Sequence, residues 1–252
     1  MPAIIKVGEA SRRLVTAGWQ HVPHIPDNVQ AELLADTPPW LREARSQGIP
    51  SLGVGAIYPI ERKNVEIAPF AIPRHWPRCY ALDVGWNWTA ALWCAFDRES
   101  MTKYLYSCYK GGEQLPAVHA TAIQARGKWI PGLIDPSANN RGQRDGERIM
   151  EDYTTAGLEL TKANNAVEAG LIQCWQDLTL GRIKVFSIGM DPFWFEYGLY
   201  HRDEKGKIVK KNDHIMDCMR YIGNSGAGVW TVAPAAELGF AIATAPIGPG
   251  GY

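Results

Sequence analysis

The sequence has no phosphate-binding loop. Nothing of the form GxxxxGK[ST] occurs in its 252 residues, and "RGKW" at 126–129 lacks both the first glycine and the final hydroxyl residue. Such a loop cradles nucleotide phosphates with its backbone amides, so nucleotide hydrolysis has no support in this chain. GxSxG and HExxH are also missing, which removes the serine-hydrolase and zinc-peptidase signatures. No apolar run approaches the roughly 18 residues a helix needs to cross a bilayer. "MPAIIKVGEASRRL" has too short an apolar stretch for a secretory signal. Net charge is absent too: 26 Lys and Arg face 26 Asp and Glu. Without a global basic field, a nucleic-acid partner would need a local patch. Cys79, Cys94, Cys108, Cys174 and Cys218 are odd in number and form no CxxC pair. That argues against a zinc site or disulfide framework, and for reduced, mostly buried thiols in a cytoplasmic protein.

What is present is ordinary globular composition, 46% hydrophobic and 21% charged. Residues 1–78 are rich in Pro and Gly ("HVPHIPDN", "TPPW", "GIPSLGVGAIYP", "FAIPRHWP"). They read as irregular, with helices at 28–36 and 40–47 and no full core of their own. From Cys79 the pattern sharpens. "CYALDVG", "TAALWCAFD" and "KYLYSCYKG" are three strands joined by short loops, an antiparallel meander. Helix and strand then alternate: a helix over 113–125, the strand "WIPGLID", and a helix over 143–156 that carries Ile149, Met150 and Tyr153 on one face. "LELTKA", a helix over 166–180 and "IKVF" follow. This order predicts an α/β fold with a mixed sheet flanked by helices. "LYHRDEKGKIVKK" reads as a hairpin turning near Lys205 and Gly206, then a helix over 213–222, then a Gly-, Ala- and Pro-rich tail.

Four carboxylates stand out. Asp83 ends an apolar strand, where burial is costly without a partner or a metal; a turn aspartate before Gly85 is the plainer reading. Asp135 ends "WIPGLID" before Pro136, which also suits a turn. Asp213 and Asp217 are one helical turn apart, off the apolar stripe of Ile215, Met219 and Ile222. Like charges so placed repel. A solvated face explains them, and Asp213 also suits an N-cap. His214 between them reads as a surface histidine. Together, two strand-end carboxylates and a helical pair converging on one sheet edge would be tolerable with cations, and such ligands suit Mg²⁺ or Mn²⁺. Two ions about 4 Å apart can drive phosphodiester hydrolysis.

In order and spacing, "ALDVGWNWTAALW", "IPGLIDPSANN" and above all "NDHIMDCMRY" resemble the nuclease domain of the large terminase subunit of tailed bacteriophages, a ribonuclease-H-like fold. "GWQHVPHI" and "GIPSLGVGAIYPI" resemble the segment that joins the terminase ATPase to its nuclease. The resemblance spans roughly residues 15–223. It implies a metal-dependent endonuclease that cuts concatemeric double-stranded DNA. Partners implied are DNA, the portal protein and the small terminase subunit, in the host cytoplasm. Asp83 and Asp135 would be metal ligands and catalytic residues, Asp217 or Asp213 would complete the set, and His214 would be accessory. Two Mg²⁺ or Mn²⁺ ions are implied. The expected organisation is 1–75 as linker and end of the ATPase region, 76–224 as nuclease domain and 225–252 as flexible tail. The ATPase itself is missing, so a C-terminal fragment is expected.

Candidate phosphate contacts are Arg141, Arg144 and Arg148, and Lys205, Lys207, Lys210 and Lys211 on the hairpin; a merely soluble charged hairpin is the alternative. Two other functions remain open. One is a junction resolvase of the same fold. The other is a non-catalytic portal or motor docking module, for which the Trp and Phe content (Trp76, Trp86, Trp88, Trp194) and the apolar tail offer support.

Overall fold

The computed structural model describes residues 4–7, 10–13, 18–21, 24–37, 42, 45–46, 55–136, 145–225 and 227–234, with backbone alone at 4–7, 10–13, 20, 145–148 and 227. The described chain begins with a hairpin of β1 (Ile4–Val7) and β2 (Ala10–Arg13). After α1 (Asp27–Ala35), β3 (Gly55–Ala56), α2 (Arg62–Val65) and β4 (Glu66–Ile67) lead into the main sheet. Of the expected helix at 40–47, residues 42, 45 and 46 are described and are helical; the rest of it and residues 235–252 of the expected tail lie outside the described residues.

β5 (Arg78–Asp83), β6 (Thr89–Asp97) and β7 (Thr102–Gly111) are the predicted meander, each paired antiparallel with the next. Short loops allow only that geometry, since a parallel return needs a long crossover. The crossovers come next: α3 (Pro116–Gln124), β8 (Gly132–Ile134), α4 (Asp145–Thr155), β9 (Leu160–Lys162), α5 (Val167–Thr179) and β10 (Ile183–Phe186). Their strands pair parallel, so the seven-stranded sheet runs β4-β10-β7-β6-β5-β8-β9. α6 (Asp191–Leu199), β11 (His201–Arg202) and α7 (His214–Asn224) follow. The charged hairpin turns as expected at Lys205 and Gly206, where Gly206 takes φ +71° and Arg202 bridges back to Ile208.

Strand alternation divides the core into two layers. On β5, Cys79 and Ala81 join Leu133 of β8 and the buried residues of α5, α6 and α7, among them Leu171, Phe193, Ile215 and Met219. Tyr80 and Leu82 point the other way, with Ile134, against Ala120 and Ile123 of α3 and Tyr153 of α4. The same parity puts Asp83 with Cys79 and Ala81, and Asp135 with Leu133. Both carboxylates therefore belong to the face that α7 covers.

Three features depart from the sequence reading. Packing does not stop at residue 76: Ile57, Tyr58 and Val65 are buried in the main core, and β4 adds a parallel edge strand beside β10. A two-residue strand carries no periodicity to detect. α6, "DPFWFEYGL", was not anticipated; its aromatic residues obscure helical propensity, although Asp191-Pro192 is a helix-start signal. Nor is the chain loose directly after 225. Thr231 bridges Arg78 antiparallel, and Trp230 lies 5.6 Å from Phe96 between ring centroids. All five cysteines are free and buried, as expected.

β5 and β8 can sit side by side because Tyr80 faces Gly132 across the ladder. A Cβ at 132 would overlap the Tyr80 ring, which is itself held 5.5 Å from Trp93. Gly132→Ala is therefore expected to cost about 1–3 kcal/mol, read as a lower midpoint of urea unfolding with an unchanged slope.

Candidate active site

Asp83 is the last residue of β5, and Asp135 follows the last residue of β8. The two strands are parallel neighbours, in register from Tyr80 with Gly132 to Leu82 with Ile134. The Asp135 amide donates to the Leu82 carbonyl at 3.1 Å, which carries that register one step further. The two carboxylates thus leave adjacent strands at the carboxyl end of the sheet. α7 lies over the same end. Its His214 Nδ1 is 2.8 Å from Asp83 Oδ2.

The solvated-face reading of Asp213 and Asp217 is overturned. Both are buried, at 5% and 8% exposure, because α7 packs on β5, β6, α5 and α6 and is buried from Ile215 to Ile222. Burying such charges requires compensation. Asp217 Oδ1 accepts from Arg220 Nε and Nη2 at 3.1 and 3.0 Å, and its Oδ2 accepts from Lys210 Nζ at 3.1 Å. The same Lys210 ammonium is 3.1 Å from Asp213 Oδ2. That contact has the distance of an ion pair without hydrogen-bond alignment, and Asp213 Oδ2 has no hydrogen-bond partner. Asp213 also makes no side-chain capping bond, against expectation.

Shifts in proton affinity show which groups sense one another. Burial pushes Asp83 up, against the His214 hydrogen bond, and the nearby Asp217 and Asp135 add to the rise. Burial also raises the Tyr221 phenol, with Asp217, Asp135 and Asp83 all contributing. One side chain of α7 therefore feels all three carboxylates. The Asp83 hydrogen bond raises His214 against burial, with Asp213 adding and Lys110 opposing. For Lys210, burial acts to lower the ammonium, but Asp217 and Asp213 together hold it above its ordinary value.

Of the candidate site residues, Asp83 pairs with His214, Asp213 and Asp217 share Lys210, and Asp135 ends the strand beside Asp83. The expected DNA contacts do not behave as a group. Lys205, Lys207, Lys210 and Lys211 are all exposed on the hairpin, but the Lys210 ammonium is also turned onto Asp213 and Asp217. Arg141 and Arg144 lie outside the described residues, and Arg148 is described in backbone only. The four tryptophans also divide. Trp194 is buried with Nε1 on the Phe186 carbonyl, and Trp76 stacks on Tyr104 at 5.1 Å, so neither is a free docking aromatic. Trp86 and Trp88 are exposed. Sequence reasoning missed Arg220, Lys110 and Glu196. Arg220 stands three residues after Asp217, a helical spacing that offered a signal for pairing.

Among the described residues, no three Asp, Glu, His or Cys groups are already closed around one point as a metal cage. The donor chemistry nonetheless fits a hard divalent ion. It consists of carboxylate oxygens with one imidazole, includes a buried Asp213 oxygen without a hydrogen-bond partner, and holds a Lys210 ammonium between two of its members.

No protein-family model matches the chain. The large terminase subunit of Salmonella phage P22 is 31% identical over 227 residues, 86% of this chain and 45% of that protein. The large terminase subunit of Enterobacteria phage LP7 is 31% identical over 227 residues, covering 86% and 47%. The chain spans just under half the length of these relatives. The solved P22 large terminase nuclease domain superimposes with a TM-score of 0.63 at 31% identity, over 68% of this chain and 91% of that one. The chain belongs to the large-terminase nuclease-domain family. Its mixed sheet is the ribonuclease-H-like fold of that family.

Two expectations follow for the metal-free terminase domain. The Asp83 hydrogen bond raises His214 above its ordinary 6.5, so as pH rises past that value the folded state holds more protons than the unfolded chain. Stability should therefore fall as pH rises through the folded His214 value. Thermal melts in EDTA across pH 5.5 to 8.5, as a design range of roughly three units around the ordinary histidine value, should show this slope, and Asp83→Asn should flatten it. Arg220→Met should destabilise by roughly 3 kcal/mol in EDTA, because Asp217 then keeps only Lys210; urea unfolding measures it.

Proposed function

We propose that this terminase domain is a divalent-metal-dependent DNA endonuclease that hydrolyses phosphodiester bonds of concatemeric double-stranded DNA with two Mg²⁺ or Mn²⁺ ions. The observation that carries the reading is the placement of Asp83 and Asp135 at the ends of adjacent parallel strands, faced by Asp217 of α7. Family membership adds support, since the matched P22 domain is named a nuclease domain.

Asp83, Asp135 and Asp217, with Asp213, would hold the ions. When bound, such ions supply an activated water and charge stabilisation at the scissile phosphate. The chain's own groups do the rest. Asp83 fixes His214 through Nδ1, which leaves Nε2 to exchange a proton or orient a water. Lys210 balances the acidic pair when no metal is present and would be released to meet a phosphate once the ions take over that charge. Lys205, Lys207 and Lys211, with Arg141 and Arg144, would contact phosphates and read no sequence. The packaging setting is part of the same proposal: an ATPase region, a portal protein and a small terminase subunit, in the host cytoplasm.

The test is supercoiled plasmid incubated with the purified chain in Mg²⁺, Mn²⁺ or EDTA. Nicking and linearisation are expected with either metal, none in EDTA, and none for Asp83→Asn shown to be folded. Cleavage that persists in the folded variant would place the chemistry elsewhere.

A further inference from the structure

The start of α7 is held by a residue from another helix. Asp213 occupies its N-cap position without capping it, and Asn212 before it takes φ +56°, a left-handed conformation that Asn tolerates. A helix start leaves several backbone N–H groups in need of acceptors. Glu196 of α6 supplies one: its Oε2 accepts the Ile215 N–H at 2.6 Å. Its Oε1 accepts Lys110 Nζ, also at 2.6 Å. Glu196 is fully buried, so without Lys110 its charge would be uncompensated. Lys110 comes from β7, opposite Ala90, which in turn is opposite Asp83. The link therefore runs from the strand two away from Asp83, through α6, to the residue after His214.

We infer that Glu196, with its charge balanced by Lys110, is a positioning residue that sets the start of α7 and thereby places His214, Asp213 and Asp217 for divalent-ion binding. Because Glu196 takes the Ile215 N–H, the Asp213 carboxylate stays out of the cap and keeps an oxygen without a hydrogen-bond partner. The domain contains its own control. Lys103 of β7 makes a comparable pair with Asp177 of α5 at 2.7 Å, and neither residue touches α7 through that pair. The inference rests on the metal-site reading above.

The test compares two double variants of the full chain by calorimetric Mn²⁺ titration, well below their melting temperatures. Lys110→Met/Glu196→Gln and Lys110→Met/Glu196→Leu both replace the buried ion pair with neutral groups, a change that proteins often tolerate. Only the first keeps an acceptor for the Ile215 N–H. The glutamine double should stay within about threefold of the unaltered chain, and the leucine double should weaken roughly tenfold or more. Lys103→Met/Asp177→Leu should leave the affinity unchanged whatever it does to the melting temperature. Equal affinities for the two Glu196 doubles overturn the inference while leaving the metal site standing. No Mn²⁺ binding by the unaltered chain overturns both.

Discussion

Crowded negative charge at the carboxyl end of β5 and β8 is the constraint around which this domain is arranged. Asp83 and Asp135 are brought together by strand pairing, and Asp217 is set against them by helix packing. In low-dielectric surroundings such repulsion is large unless opposite charge is close. The structure meets this with two cations and a hydrogen-bonding ring of its own: Arg220 on Asp217, Lys210 across Asp213 and Asp217, and the His214 imidazole on Asp83. These differ in permanence. Arg220 is buried and bonded twice to one oxygen, so it belongs to the fold. Lys210 is on the mobile type of side chain, a flexible stem with a point charge, and suits an exchangeable counter-ion.

The sheet supplies precision and α7 supplies completion. Two parallel strands can place two residues side by side with little freedom, because ladder hydrogen bonds fix their register. A third group must arrive from outside the sheet. α7 brings it, and every layer of the helical face holds that helix: α5 packs along it, α6 reaches the amide of its second residue, Ile215, and β5 and β6 form its floor. The four residues before α7 form the join between an exposed hairpin and a buried site. Lys210 lies in that join and, unlike Lys205 and Lys207, reaches Asp213 and Asp217.

Much of this was legible in the chain. Short loops between "CYALDVG", "TAALWCAFD" and "KYLYSCYKG" could only give an antiparallel meander, and the later helix–strand rhythm could only give crossovers. Strand ends at Asp83 and Asp135 were visible because a carboxylate closing an apolar run is unusual. The pair Asp213 and Asp217 was visible by its spacing alone. These are local signals, and local periodicity and turn chemistry survive in one dimension.

Other features had no local signal. Whether Asp213 and Asp217 faced water or the core depended on α7 packing against β5, β6, α5 and α6 together, and "DPFWFEYGL" gave little periodicity to announce the last of these. The edge strand Glu66–Ile67 is too short to have a pattern and exists only because β10 offers it a partner. Glu196 and Lys110 are 86 residues apart, so their pairing is invisible until β7 and α6 meet. The sequence by itself determined the order of elements and which carboxylates end them. Tertiary structure decided which of those charges are buried together and which cations answer them, because desolvation and Coulomb energy depend on distances that chain order does not encode.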